Sequence, residues 1–216
     1  MNTAAVAKHY GVDLFLNISQ MTVSEMSISE TTTSPQQKLH WLSEQALNWS
    51  GLSVVHVRPT VFLENPFFYN FAVETIRRTG ELQLPFGSGK SSPIAAQDVA
   101  RVMAEILISP ADHIGRIYEV TGPKAQDFNG VAEEYSKGLE RTVKYRAMTW
   151  EESADRYLKG SGLPEHVSNH LAAMALRHGE NRYDRLTHNV EIVTGMEPMT
   201  IGEWVRVHVR TFEAEQ

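Results

Sequence analysis

Tyr10-Gly-Val-Asp-Leu-Phe-Leu-Asn-Ile-Ser19 is the stretch that decides the fold. Residues 12–18 form an apolar run interrupted only by Asp13 and Asn17, the pattern of a strand covered on both faces. Residues 3–9 before it read as the last turns of a helix, ended by Gly11. Ser19 stands at the strand's carboxyl end, where open α/β sheets bind their ligands.

Working outward, a polar stretch leads to Ser34-Pro35-Gln36-Gln37, which supplies an N-cap, a Pro at the first helical position and a Gln at N3. The spacing predicts a helix from there to Ser50-Gly51, with Leu39, Leu42, Ala46 and Leu47 on its inward face. Trp41 and Trp49 are expected to pack against the sheet or a neighbouring subunit. Residues 54–57 make a second buried strand, closed by Arg58-Pro59. A helix begins after Pro66 and stops at Gly80, and residues 84–93 read as a loop. The helix over 98–107 aligns Val99, Val102, Met103, Ile106 and Leu107 inward. Residues 117–120 are a third strand and 128–139 a helix. Residues 143–146 are extended, Thr149 caps a further helix through Glu152, and two more helical stretches cover 164–178 and 200–212.

Strands alternating with helices imply a parallel sheet with helices on its faces. Three strands are few for such a sheet. The chain is therefore expected to begin inside its fold, as the C-terminal part of a Rossmann-type doubly wound parallel sheet with a small, mostly helical lobe attached. The glycine-rich strand-to-helix turn that holds a dinucleotide's pyrophosphate is then expected upstream.

Composition narrows the function. The chain has 216 residues, room for one core or one core with a small satellite domain. A net charge of −6 without any Lys/Arg block disfavours direct nucleic-acid binding. No apolar stretch approaches the length of a membrane helix, and the start lacks a signal-peptide pattern, so the expected compartment is cytoplasmic. With no cysteine, disulfides, thiolate chemistry and Cys-ligated metal sites are excluded.

Several motifs in order resemble the NmrA-like branch of the atypical short-chain dehydrogenase/reductases. They are Leu39-His-Trp-Leu-Ser-Glu44, Ser50-Gly-Leu52, Val57-Arg-Pro-Thr-Val-Phe-Leu-Glu-Asn65, Ala96-Gln-Asp-Val-Ala100, Gly115-Arg-Ile-Tyr-Glu-Val-Thr-Gly-Pro123 and Thr194-Gly-Met-Glu-Pro-Met-Thr200. The resemblance covers essentially the whole chain but lacks the family's first four strands and its Gly-x-x-Gly-x-x-Gly turn. It implies that the three strands are the fifth, sixth and seventh. Residues 1–121 would be a partial NAD(P)-binding domain, interrupted by a lobe segment over about 62–92, and residues 122–216 the substrate lobe.

The same resemblance implies NADP or NAD as cofactor, with a small molecule as substrate. The complete protein would be an NAD(P)H-dependent reductase of quinone-like or other small conjugated acceptors. Two alternatives stand beside it: a non-catalytic redox sensor, and an inactive truncated product. In short-chain reductases a Tyr-x-x-x-Lys pair follows the fifth strand. Here the Lys position is His40 and the Tyr position is Gln36, which cannot donate a proton as a phenol does. His40 is thus the candidate catalytic residue. Ser19, His40, Pro59 and Thr60 are the candidate cofactor contacts, and Phe62 and Asn65 the candidate substrate contacts, with Glu64 beside them in the cleft. Relatives often dimerise through the helix that bears His40, which leaves a homodimer open.

Each candidate also has a plain structural reading. Pairing at i,i+4 with Glu44 is expected to raise the pKa of His40 and steer its ring; the plain reading is an exposed helical histidine. Ser19 either contacts cofactor or caps the next turn. Pro59 also ends a strand sterically, and Asn65 also serves as an N-cap. Gly87-Ser-Gly-Lys-Ser91 is not a phosphate loop, since Leu84 stands where the first Gly is needed and Ser92-Pro93 where the helix should start. His166 and His170 share a helix face, but with no third ligand evident they read as solvated rather than metal-binding. No metal is expected.

Overall fold

The computed structural model describes residues 2–30, 34–159 and 162–213. The polar linker expected at 31–35 lies outside the described residues over 31–33. Helix α1 (Asn2–His9) leads to strand β1 (Phe15–Ile18), α2 (Pro35–Trp49) and β2 (Val54–Pro59). Then come α3 (Ala72–Thr79), β3 (Glu81–Leu84), β4 (Lys90–Ser91), α4 (Ala96–Ile108) and β5 (Ile117–Val120). The rest is β6 (Gln126–Asp127), α5 (Phe128–Leu139), β7 (Lys144–Ala147), α6 (Trp150–Tyr157), α7 (Glu165–Gly179), α8 (Asn189–Thr194), α9 (Ile201–Val207) and α10 (Val209–Phe212).

The main sheet is parallel with order β1-β2-β5. Phe15 pairs with Val54, and Pro59 with Val120. Ser19 N–H donates to Val57 O (2.8 Å) and Thr60 N–H to Val120 O (3.0 Å), so the backbone bonding runs past the strands' carboxyl ends. β2 is central and almost wholly buried; β1 is an edge. The strand expected over 12–18 is shorter, Phe15–Ile18, and half-buried rather than covered on both faces; among the described residues it pairs with β2 alone. Its Asn17 bonds His56 Nδ1 (3.0 Å), and His56 Nε2 meets Asn48 of α2 (3.0 Å), a polar tie across β1, β2 and α2.

Two larger cores flank the cleft. One lies between the sheet and α4, built on Val55, Val57, Val102, Ile106 and Val120. Leu107, expected inward, is exposed; the helix buries Asp98 instead, which pairs with Arg101 and accepts from Met199 N (2.7 Å). The other core belongs to the lobe and centres on Phe67, Phe68, Phe86, Phe128, Tyr135 and Trp204. The expected loop over 84–93 contributes the end of β3 and all of β4, which pair with β7 and β6. Gly89 sits there for packing: a Cβ would fall 1.9 Å from His178 O.

The caps work as expected. Ser34 Oγ accepts from Gln37 N, Thr149 and Glu152 form a capping box, and Gly80 closes α3 at φ 72°. Thr200 and Glu203 form a second capping box at α9. The face of α2 is where expectation fails. Leu39 and Leu42 are 61% and 43% exposed and Trp49 is 78% exposed, while Gln37, Glu44 and Leu47 are buried. This helix turns polar residues inward because partners wait for them there. Arg58 grips Glu44 with two hydrogen bonds (2.9 and 2.5 Å), and Gln37 lies close to Tyr183.

Candidate functional site

A cleft of about 200 Å³ opens at the carboxyl ends of β1 and β2, between the sheet and the lobe. It gathers every candidate residue: Ser19, His40, Pro59, Thr60, Phe62 and Asn65 all line it. Gln36 lines it too, one helical turn before His40. Glu64 does not, because its carboxylate accepts from Trp204 Nε1 (2.9 Å) and Ala96 N (3.0 Å), tying lobe to sheet.

The sheet wall has two buried hydroxyls, Ser19 and Thr60, each 3% exposed. Neither Oγ of Ser19 nor Oγ1 of Thr60 makes a hydrogen bond of normal geometry, although Ser19 is near enough to Glu44 to help keep its carboxyl ionised. Buried hydroxyls ordinarily find partners, so two of them at one cleft mark a place where a polar ligand atom fits.

His40 looks into the same space from α2. Its pKa is lowered, not raised as the sequence suggested: burial outweighs the field of Glu44. Glu44 is also less available than i,i+4 spacing implies. Burial opposes its charge, but hydrogen bonds from Arg58, helped by Ser19, hold its pKa below the usual range. Glu44 thereby anchors α2 to β2.

Asn65 does two things. Its Oδ1 accepts from Phe67 N (3.1 Å), capping a π-type turn closed by Phe71 N–H to Pro66 O (2.8 Å), and its Nδ2 meets Met174 Sδ (3.7 Å) in the cleft. Phe62 is half-buried in the wall.

The lobe wall was not anticipated. His170, read from the sequence as solvated, lines the cleft with Met174 and Tyr183. Its Nδ1 is hydrogen-bonded to Ser34 Oγ (3.0 Å) across 136 residues of chain. Burial, and then the neighbouring His40, lower its pKa. The available signal was a histidine on the buried side of an amphipathic lobe helix; spacing to His166, which is exposed, drew attention the other way. Among the described residues, no group of three or more His, Asp or Glu side chains could hold a metal ion. No helix among them is long and apolar enough to cross a membrane.

No protein-family model matches the chain. The NAD(P)H azoreductase of Xenophilus azovorans is 32% identical over 194 residues, covering 89% of this chain and 66% of the relative. An NADPH-dependent quinone oxidoreductase of Escherichia coli, solved with NADPH, superposes with a TM-score of 0.80 at 24% identity, over 97% of this chain and 70% of that one. The negative transcriptional regulator NmrA superposes with a TM-score of 0.71 at 18% identity, over 94% and 66%.

The chain shares its fold with the NmrA-like proteins. It spans just under two thirds of the azoreductase's length. None of the strand-to-helix connections among the described residues is glycine-rich.

Proposed function

We propose that this chain carries the hydride-transfer end of an NAD(P)H-dependent reductase acting on small conjugated acceptors of the quinone or azo type. The observation that carries the reading is the pair of unpartnered buried hydroxyls, Ser19 and Thr60, opening beside His40 at the ends of two adjacent parallel strands. A nicotinamide carboxamide and its ribose offer the donors and acceptors those hydroxyls lack, so the residues present fit the group. The cofactor supplies the hydride. Ser19, Thr60 and His40 would hold and orient its nicotinamide end, Pro59 would shape the floor, and Phe62 and Asn65 would place the acceptor. Among the described residues no Lys or Arg lines the cleft, which suits an uncharged acceptor.

Curated and solved relatives of this kind act with NAD(P)H or NADPH, as azoreductase and quinone oxidoreductase. That supports the choice of cofactor. Gln36, where a phenol stands in alcohol dehydrogenases of the superfamily, favours a second reading: a redox sensor that binds nicotinamide without turnover.

One experiment separates them. The chain is supplied with NADPH or with reduced nicotinamide mononucleotide, which lacks the adenosine half, and with 2-methyl-1,4-naphthoquinone. The reductase reading expects oxidation of both reductants, with KM values within about tenfold because the site contacts only their common end. It also expects a loss of at least tenfold in kcat/KM in His40→Ala. Binding without turnover would favour the sensor, and turnover unchanged in the variant would remove His40 from the chemistry.

A further inference from the structure

Reduction by hydride needs a proton as well, and the cleft has two walls that could deliver it. Its sheet side bears Ser19, Pro59, Thr60 and His40. Its lobe side bears His170 and Met174 from α7. The two helices pack on each other, and both imidazoles line the one cleft. His170 is held in place: Ser34, fully buried at the start of α2, bonds its Nδ1 while also accepting from Gln37 N (3.3 Å). That leaves His170 Nε2 without a hydrogen-bond partner among the described residues.

The other titratable groups nearby are already committed. Glu44 of α2 is taken by Arg58 of β2, His56 lies between Asn17 and Asn48, and burial raises the pKa of Tyr183. Gln36 has no proton to give.

We propose that His170 is the acid that protonates the reduced acceptor, and that His40 and His170 hold one proton between them. The proposal rests on the reductase reading. As hydride reaches the electrophilic carbon of the acceptor and forms a C–H bond there, the displaced π pair settles on the conjugated oxygen. That oxygen takes the proton from His170 Nε2: an O–H bond forms as the N–H bond breaks. His170 is left neutral and regains a proton from water, with His40, the other imidazole lining the cleft, able to share it. Two imidazolium ions in one small, half-buried cleft repel each other, so the second proton is held much less tightly than the first. The repulsion between the two rings, which depresses the His170 pKa, agrees with this sharing.

Two measurements test it. The first follows the histidine ring protons by NMR across pH 4 to 9, without cofactor, in the wild type and in His40→Gln. Removing His40 is expected to raise the midpoint of His170 towards the ordinary value; an unchanged midpoint overturns the shared proton. The second measures the pH dependence of kcat for quinone reduction in the wild type, His170→Gln and Ser34→Ala. The wild-type rate should fall as pH rises through the pair's titration. His170→Gln should be at least tenfold slower and independent of pH over that range, with KM for NADPH unchanged. Ser34→Ala, which keeps the imidazole and loosens it, should retain the pH profile at a reduced rate. His170→Gln at wild-type rate and slope would overturn the donor role alone. Failure of the wild type to transfer hydride to any acceptor would overturn the reductase reading and the donor role together.

Discussion

The lobe and the α1–β1–α2 layer use the same kinds of residue in opposite ways. In the lobe, Phe67, Phe68, Phe86, Phe128 and Trp204 are almost completely removed from water, and the four phenylalanine rings meet one another edge-on or tilted. In the other layer the buried apolar cluster is small, with Ala4, Leu47 and Val54 at its centre, while Tyr10, Leu39, Leu42 and Trp49 stay exposed. The lobe is held by apolar mass. The α2 layer is held by directed contacts: Glu44 to Arg58, Ser34 to His170, and Asn48 to His56. The cleft lies where the two meet, which gives it one wall fixed by packing and one fixed by hydrogen bonds.

The contrast breaks most easily in the lobe. Phe67→Ala removes a wholly buried ring that contacts Phe71 and Phe86 edge-on, and should cost about 3–5 kcal/mol in urea unfolding. A loss below about 1 kcal/mol would mean that the lobe core collapses around the gap and is no more committed than the α2 layer.

The sequence showed the elements of both regions better than their faces. Helix ends were legible wherever a chemical stop exists, as at Ser34, Gly80 and Thr149, and residues 117–120 and 128–139 came out with their observed bounds. The inward face of α2 did not, because periodicity assumes that the buried side is the apolar side. Here Glu44 is buried by Arg58, which follows it by 14 residues, and no local pattern announces such a partner. The cleft residues taken from strand ends and from family motifs arrive in the cleft, except Glu64, whose carboxylate is taken by Trp204 and the backbone of Ala96. His170 could not be found that way, since its partner Ser34 is 136 residues distant and its nearest sequence neighbour of like kind, His166, is exposed. The sign of the His40 shift was misjudged for a related reason. Spacing exposes the charge of Glu44 to view, whereas the burial that outweighs it depends on a lobe brought in from far along the chain.

A second, smaller effect distinguishes the two regions by pH. His178 lies wholly inside the lobe, stacked between Phe86 and Tyr183 (4.1 Å from each), with Nδ1 bonded to Met174 O (2.8 Å). Burial lowers its pKa to about 3. The unfolded chain takes up this proton near pH 6.5 and the folded chain does not, so the stability it contributes is full above pH 6.5 and declines as pH falls towards 3. Between pH 6.5 and 4.5 one such group gives a limiting slope of about 1.4 kcal/mol per pH unit. His40, His56 and His170, also lowered by burial, add in the same direction. Replacing His178 by Phe keeps a ring in the stack, and should reduce the slope of unfolding free energy against pH by about one proton's worth. A slope unchanged in His178→Phe would place the titration in the cleft histidines instead, and with it the acid sensitivity in the α2 layer.

The smallest effect is expected on the exposed face of α2, and it bears most directly on how that layer is built. If Leu39 and Trp49 stand in water, replacing either by Ser removes no buried apolar area. Stability should then shift by less than about 0.5 kcal/mol, against several for a lobe aromatic. Serine's lower helix propensity accounts for part of even that. Unfolding should also have the same midpoint across a tenfold range of protein concentration. A midpoint that rises with concentration in the wild type, and ceases to do so in Trp49→Ser, would mean that a second copy covers this face in solution. The polar inner side of α2 would then belong to the cleft and its apolar outer side to an interface, and the reversal of its expected faces would have a single cause.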